Sequence, residues 1–418
     1  MKVTTQILVG MALGALLGVA AQLFEWTWMQ SALIALTPIG TAFVRLISMV
    51  VVPLVVASLF VGICSVGDIR RLGRVGGRTL AYFLGTSVVA AVLGLTLAVV
   101  VQPGATVAPE VRDRIAAEYS EGSEARAQVA AEVSMVDRVL EMIPRNPVKA
   151  AADMDLLALI VFTILFAAAA ASLPAAQTRA LLGLFGGVNA AMGVVIDWVM
   201  RLAPLAVFVL IGGAVARFGT ELLQALALYA VLVILGELFH AFVVLSVVLR
   251  LAGIRVRAFW RHVAPAPLLA FATASSNATL PVSLEVAQER LGVSNAVASF
   301  VLPVGATLNM NGGALYKALT AAFLAQVYGI ALGPGEYLTI VVTATMAALA
   351  GVGVPGSSLV TTLIVLGAIG MGPQAAAGIA LVVGLDRFLD MFQTSINIIK
   401  NLTAVAVITK AEGEAIAA

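Results

Sequence analysis

Residues 79–101, TLAYFLGTSVVAAVLGLTLAVVV, carry no charged side chain. The run is one of many in this chain longer than the ~18 apolar residues that span a bilayer. Nothing else constrains the fold as strongly. In hydrocarbon every backbone N–H and C=O must be satisfied internally, which leaves helices and closed barrels. A barrel strand reads as about ten residues of alternating hydrophobicity, and these runs do not alternate. The chain is therefore expected to be an all-α polytopic membrane protein. Its 418 residues are 61% hydrophobic and 11% charged, against about 25% charged in an ordinary soluble domain. Mean hydropathy is +1.06. A net charge of +2 without a basic patch points away from nucleic acid and toward the lipid bilayer as partner. One cysteine, Cys64, excludes an intrachain disulfide. The N-terminal MKVTTQILVGMALGALLGVAAQLF resembles a signal peptide, but the many spans after it favour a first membrane helix.

Apolar runs between charged or breaker-rich joints place helices at about 5–24, 33–65 and 78–102. The second is long, with Arg45 near its start and Pro53 within it. Residues 103–150 form a long, alternately charged stretch and read as a solvated loop. Apolar segments resume at about 154–173, 180–202, 203–217 and 219–252. Orientation follows from lysine and arginine in short joints. Arg70, Arg71, Arg74 and Arg78 form one cluster, and Arg250, Arg255, Arg257 and Arg261 another. Both joints, with Lys2, are expected on the cytoplasmic side and the polar loop outside. An odd number of crossings must then link the loop to Arg250, so two of the four apolar segments share one broken span.

The C-terminal third has a different texture. Residues 262–292 contain ATASSNATLPVS, and residues 335–372 contain GVGVPGSSLV. Each is an apolar stretch with a small, polar centre, and each half is short for a span. A second polar break follows each at the same spacing, Ser275 to Asn309 and Gly356 to Asp390. The two units are separated by an odd number of crossings, so the second is inverted relative to the first. Inverted repeats with broken helices meeting near the midplane mark secondary transporters.

The segments SSNATLPVS, PVGATLNMNGGALYKA, AGVGVPGSS and GLDRFLDMFQTSINIIKN resemble four segments of the dicarboxylate/amino acid:cation symporter family, the glutamate transporter homologues. MVVVPLVVASLFVGI and IPRNPVKAAA fit as well, so the resemblance covers nearly the whole chain. It implies eight transmembrane helices plus two re-entrant hairpins, a homotrimer and an elevator mechanism. Residues 1–77 and 151–218 would form the scaffold, and 103–150 an extracellular loop. Residues 78–102 and 219–418 would form the transport domain, with helix seven at about 294–323 and helix eight at about 374–411. The expected location is the plasma membrane, the inner membrane in a Gram-negative cell, with both termini cytoplasmic.

The resemblance also implies the site. Ser275, Ser276 and Asn277 at the first hairpin tip offer hydroxyls and helix N-terminal amides, chemistry that suits a carboxylate. By position Ser276 would bind the substrate α-carboxylate together with Asn397, and Asp390 the amino group. Asp390 and Asn397 are two helical turns apart and share a face. A carboxylate inside a membrane helix is costly and marks function, with Arg387 or Lys317 as the structural partner in the plainer reading. Gly313, Gly356, Gln393 and Thr394 complete the substrate set. Gly305, Thr307, Asn309, Met310, Asn311, Asn401, Thr86 and Ser87 fall at coupling-ion positions.

Several of these residues depart from the family pattern. Members selecting acidic amino acids place an arginine where this chain has Gln393, or alternatively where it has Ala274. Glutamine has no charge and no bidentate fork. Gly313 replaces a threonine and leaves more room. A neutral or polar amino acid substrate is expected. Asn311 and Asn401 stand where sodium-binding aspartates occur, so two of three sodium sites are expected to be weak or absent. A site from Thr307, Met310 and carbonyls around Ala348–Gly351 needs no carboxylate and is retained. The coupling ion is then a proton or residual sodium, and no other cofactor is implied. Lys317 would act as an internal cation, pair with Asp386 or Asp390, titrate, or serve an acidic substrate. Glu237 and His240, three apart on helix six, form either a proton relay or a structural bond. An ion channel is a remote alternative, as is an intramembrane hydrolase built on ASSN, His240 and Asp390.

Overall fold

The computed structural model describes residues 3–65, 73–107, 143–153, 156–218, 220–308, 311–349 and 357–417. Most of the long polar loop, Arg70, Arg71, Asn309, Met310, the segment from 350 to 356 with Gly356, and Lys2 lie outside them. The described residues contain helices and turns and no strand.

Helix α1 is Val3–Leu23, α2 Thr27–Ala35, α3 Thr37–Ser48, α4 Val51–Ser65 and α5 Gly73–Val101. The expected single second helix is therefore three. The chain is interrupted at Leu36 and again at residues 49–50, with Pro38 and Pro53 in the opening turns of the helices that follow. Proline lacks the N–H a helix interior needs but fits a first turn. After a short 3-10 turn, Pro103–Thr106, come α6 Pro147–Ala152, α7 Leu156–Ala171, α8 Ala175–Met200 and α9 Ala203–Phe218. Asn146 caps α6, its side chain accepting from the amides of Val148 and Lys149. Helix α10, Thr220–Phe239, continues through a π-helical turn, His240–Val244, into α11, Leu245–Leu251.

The C-terminal half begins with α12 Val256–Val263, α13 Pro265–Thr273 and α14 Ser276–Glu285. It continues with α15 Asn295–Leu308, α16 Asn311–Val327, α17 Pro334–Leu349, α18 Ser357–Ala368 and α19 Gly372–Ala411. Helices α13 and α14 are in contact with each other, as are α17 and α18. The first of the expected second breaks, at Asn309, lies outside the described residues, and at the second α19 runs unbroken through Asp390. A polar residue interrupts an apolar pattern without interrupting a helix when its side chain finds partners nearby.

The core centres on α16. Ala314 through Ala325 are essentially inaccessible, and α5, α10, α17 and α19 surround them. A helix apolar on all sides belongs in such a position. Elsewhere α1 lies along α9. A side chain at Gly10 or Gly14 would overlap the carbonyl oxygens of Pro204 or Phe208, so small residues set this close approach. Among the described residues, five helical runs are long and apolar enough to cross a bilayer: Thr5–Leu23, Val75–Thr106, Ala175–Met200, Leu222–Leu251 and Gly378–Ala411. Leu184 and Trp198 of α8 are about 60% exposed, an apolar face suited to lipid or to another apolar surface.

Candidate substrate site along the last helix

Helix α19 carries a buried polar stripe. Asp386, Asp390, Gln393, Asn397, Lys400 and Asn401 are each 5% exposed or less. Steps of three and four residues keep them on one side of the helix over about 22 Å. Burying such groups costs free energy unless each is hydrogen-bonded or paired. Their partners therefore define the site.

The partners come from segments distant in sequence. The Gly312 amide, in the first turn of α16, donates to Asn397 Oδ1 at 2.9 Å. First-turn amides have no partner within their own helix, so Asn397 caps α16 from outside and turns its amide nitrogen the other way. Ser358 Oγ of α18 donates to Gln393 Oε1 at 2.8 Å. The Gln393 Nε2 group is buried and has no hydrogen-bond partner among the described residues. Gly312 sits against the Gln393 backbone, where a Cβ would lie 2.6 Å from Gln393 Cα. Asp390 Oδ2 is 3.6 Å from Arg387 Nη1, the plainer partner expected for it. Thr394 Oγ1 donates back to the Asp390 carbonyl at 2.7 Å.

The α13–α14 turn is fixed against the same helix. Ser395 Oγ donates to the Pro267 carbonyl at 2.9 Å, and Phe271 meets Phe392 edge-on at 5.1 Å. Ala274 adopts the left-handed conformation, φ 48°, and ends α13. Ser275 then caps α14, accepting from the Ala278 amide at 3.2 Å. Ser276 is buried and Asn277 exposed, so of this pair only Ser276 lies in the interior.

Lys317 is fully buried, and its Nζ donates to the Gly313 carbonyl at 3.2 Å. It lies within electrostatic reach of Asp386, Asp390 and Glu237. The expected Glu237–His240 bond is not formed. Both side chains are buried, and neither has a hydrogen-bond partner among the described residues. Glu237 lies within reach of Lys317, while His240 lies within reach of Lys400. The hydrolase triad fails with it, since His240 bonds neither the ASSN serines nor Asp390.

At the expected ion positions, Gly305 faces Asn401, whose Oδ1 would be 2.6 Å from a Cβ there. Thr86 Oγ1 donates to its own helix at Tyr82, 2.7 Å away. Ser87 Oγ instead receives Lys400 Nζ at 3.4 Å. Thr307 lies in the last turn of α15 and Asn311 opens α16. Asn309, Met310 and Gly356 lie outside the described residues. Sequence reasoning missed Ser358, Gly312 and Lys400. The signal for Lys400 was present: a lysine seven residues after Gln393, on the same face.

The Sodium:dicarboxylate symporter family profile matches residues 3–411. The chain belongs to this family. Its similarity to individual members extends over the same length. It is 38% identical to the Proton/glutamate-aspartate symporter of Escherichia coli (strain K12) over 408 residues, 97% of this chain and 92% of that protein. It is 36% identical to the Proton/sodium-glutamate symport protein of Bacillus subtilis (strain 168) over 409 residues, 98% and 92% of the two chains. The C4-dicarboxylate transport protein of Deinococcus radiodurans is 31% identical over 409 residues, 97% of this chain and 88% of that one. The family consists of symporters. The protein is a cation-coupled membrane transporter and not an enzyme.

Proposed function

We propose that the protein is a secondary active transporter of a neutral or polar amino acid, with sodium coupling reduced or lost in favour of protons or exchange. Gln393 carries this reading. Its oxygen is engaged by Ser358, and its NH2 group is a buried donor without a partner among the described residues. Such a donor is costly unless a ligand satisfies it, and an uncharged amide suits an uncharged polar side chain. Two turns of α19 would read the substrate. Asp390 takes the ammonium, Asn397 and Ser276 the α-carboxylate, and Gln393 with Thr394 and Gly313 the side chain. The bond from Gly312 to Asn397 Oδ1 supports this assignment, because it leaves the nitrogen end of the amide to face an anion.

The coupling-ion positions are uncharged at Asn311 and Asn401, which supports weak sodium dependence. Glu237, Lys317 and Asp386 form a buried ionisable group suited to handling a proton. In this reading α5 and the chain from α10 onward form a mobile transport domain. The re-entrant hairpins are α13–α14 and α17–α18, and helices up to α4 with α7–α9 form the scaffold of a plasma-membrane homotrimer. The domain moves as an elevator. Helix α8 spans alone and α7, joined to it through a three-residue turn, does not cross, which keeps the number of crossings odd as orientation requires.

A second reading has its own support. The relatives cited above carry glutamate, aspartate and C4-dicarboxylate in their names. Lys317 is a buried cation within reach of the Asp390 region. In that case Lys317 serves the side-chain carboxylate of an acidic substrate. A thermal-shift panel of amino acids and C4-dicarboxylates, in sodium and in choline buffer, separates the two. Largest shifts with neutral amino acids uphold the first reading. Largest shifts with glutamate, aspartate or succinate replace it with the second.

A further inference from the structure

The Lys400 side chain has no part in substrate recognition as described above, and its surroundings are unlike those of a surface lysine. It is fully buried. Its Nζ donates to the Phe83 carbonyl at 3.3 Å and to Ser87 Oγ at 3.4 Å. The nitrogen also lies 5.2 Å from the centre of the Phe83 ring. The same carbonyl lies 3.3 Å from Thr86 Oγ1. A main-chain carbonyl, hydroxyls and an aromatic face are the groups that hold a free monovalent cation in place of its water. All of them come from one turn of α5, and the cation comes from α19.

We propose that the Lys400 ammonium is a tethered monovalent cation, seated in an oxygen and π-face cage on α5 that would otherwise take a free one. This deepens the coupling side of the proposed function, because it gives a physical reason for reduced dependence on an external cation at this place. A covalently attached ammonium needs no ion from solution and loses no translational freedom on binding. It also links α5 to α19 across more than three hundred residues of sequence.

The test asks whether removing the tether creates a requirement for a free cation. Lys400→Ala opens the cage, and Lys400→Met keeps most of the volume without the charge. Thermal unfolding of the purified full-length chain is followed in choline, sodium and methylammonium chloride at one ionic strength. K400A is expected to gain about 3 °C from methylammonium or sodium beyond any shift of the wild type. K400M is expected to gain nothing, because its side chain fills the space. Adding Ser87→Ala to K400A should raise the methylammonium concentration for half-maximal stabilisation at least about threefold, as a cage oxygen is lost. A K400A response no larger than that of the wild type overturns the proposal, as does an equal response in K400M or one indifferent to Ser87→Ala. If K400A is recovered only when methylammonium is present during purification, the proposal stands; failure in all three salts overturns it. The readout needs no transported substrate, so an error in the substrate reading leaves this result unaffected.

Discussion

Ser358 and Gln393 meet through a 2.8 Å hydrogen bond between α18 and α19. As built, the bond spends the oxygen end of the Gln393 amide on the protein and leaves the NH2 end for a ligand. It also ties α18 to the residue proposed to read the substrate side chain. Gln393→Ala should weaken binding of the preferred amino acid about tenfold, through loss of one buried donor and the stranding of Ser358. Gln393→Arg should shift preference toward aspartate and glutamate, since a guanidinium offers a charged fork. Competition binding with the amino acid panel measures both. A wild type that already prefers aspartate would reverse the substrate assignment.

In the proposed site Asp390 is the residue that separates amino acids from plain dicarboxylates. A dicarboxylate has no ammonium to offer it. Asp390→Asn should reduce amino acid uptake by about a hundredfold or more, the scale of breaking a buried charge pair, and leave any succinate uptake less affected. Uptake of both substrates by proteoliposomes holding the wild type or Asp390→Asn reads this directly. Equal losses for both substrates would mean that Asp390 serves Arg387 and the fold.

Sodium dependence should be slight. Each aspartate-to-asparagine difference at Asn311 and Asn401 keeps an oxygen and removes a full charge, and Asn401 is buried. Substrate affinity should change by less than about threefold when potassium or choline replaces sodium. Asn311→Asp with Asn401→Asp should steepen the dependence. A wild-type affinity that collapses without sodium, with the steepness of several ions, contradicts the expectation.

Gly312 tests the packing rather than the chemistry. A methyl group there would meet the Gln393 backbone at 2.6–2.7 Å, and backbone cannot step aside as a flexible side chain can. Gly312→Ala should cost about 1–3 kcal/mol and lower the melting temperature by several degrees. Gly367→Ala, near the end of α18 with nothing within 4 Å of the new methyl, is the control and should be neutral or slightly stabilising. Differential scanning fluorimetry of the two variants is sufficient.

What could be read from the sequence was whatever depended on local pattern. Long apolar runs marked the membrane helices, and the spacing of Asp390 and Asn397 put them on one face before any coordinates. The same local logic misjudged two places. It took polarity at Asp390 for a break, although a paired side chain leaves α19 intact. It joined α2, α3 and α4, because hydropathy does not register an opening proline. What remained hidden was pairing between distant segments. Nothing near Lys400 in sequence points to Phe83 or Ser87, and nothing near Gln393 points to Ser358. Glu237 and His240 show the converse error, since closeness on one helix did not bring their side chains together.

The seat of Lys400 has an energetic consequence. A dissolved ion can be picked up on one side of a membrane and released on the other, and its downhill passage performs work on the cargo. A charge fixed to a side chain returns to its starting point each time the cycle closes. Whatever path α19 follows, the membrane potential does equal and opposite work on that charge over the two strokes, and nothing is gained. An ammonium in that seat stabilises the arrangement around it without drawing on any gradient, so the energy for uphill movement must enter through another group.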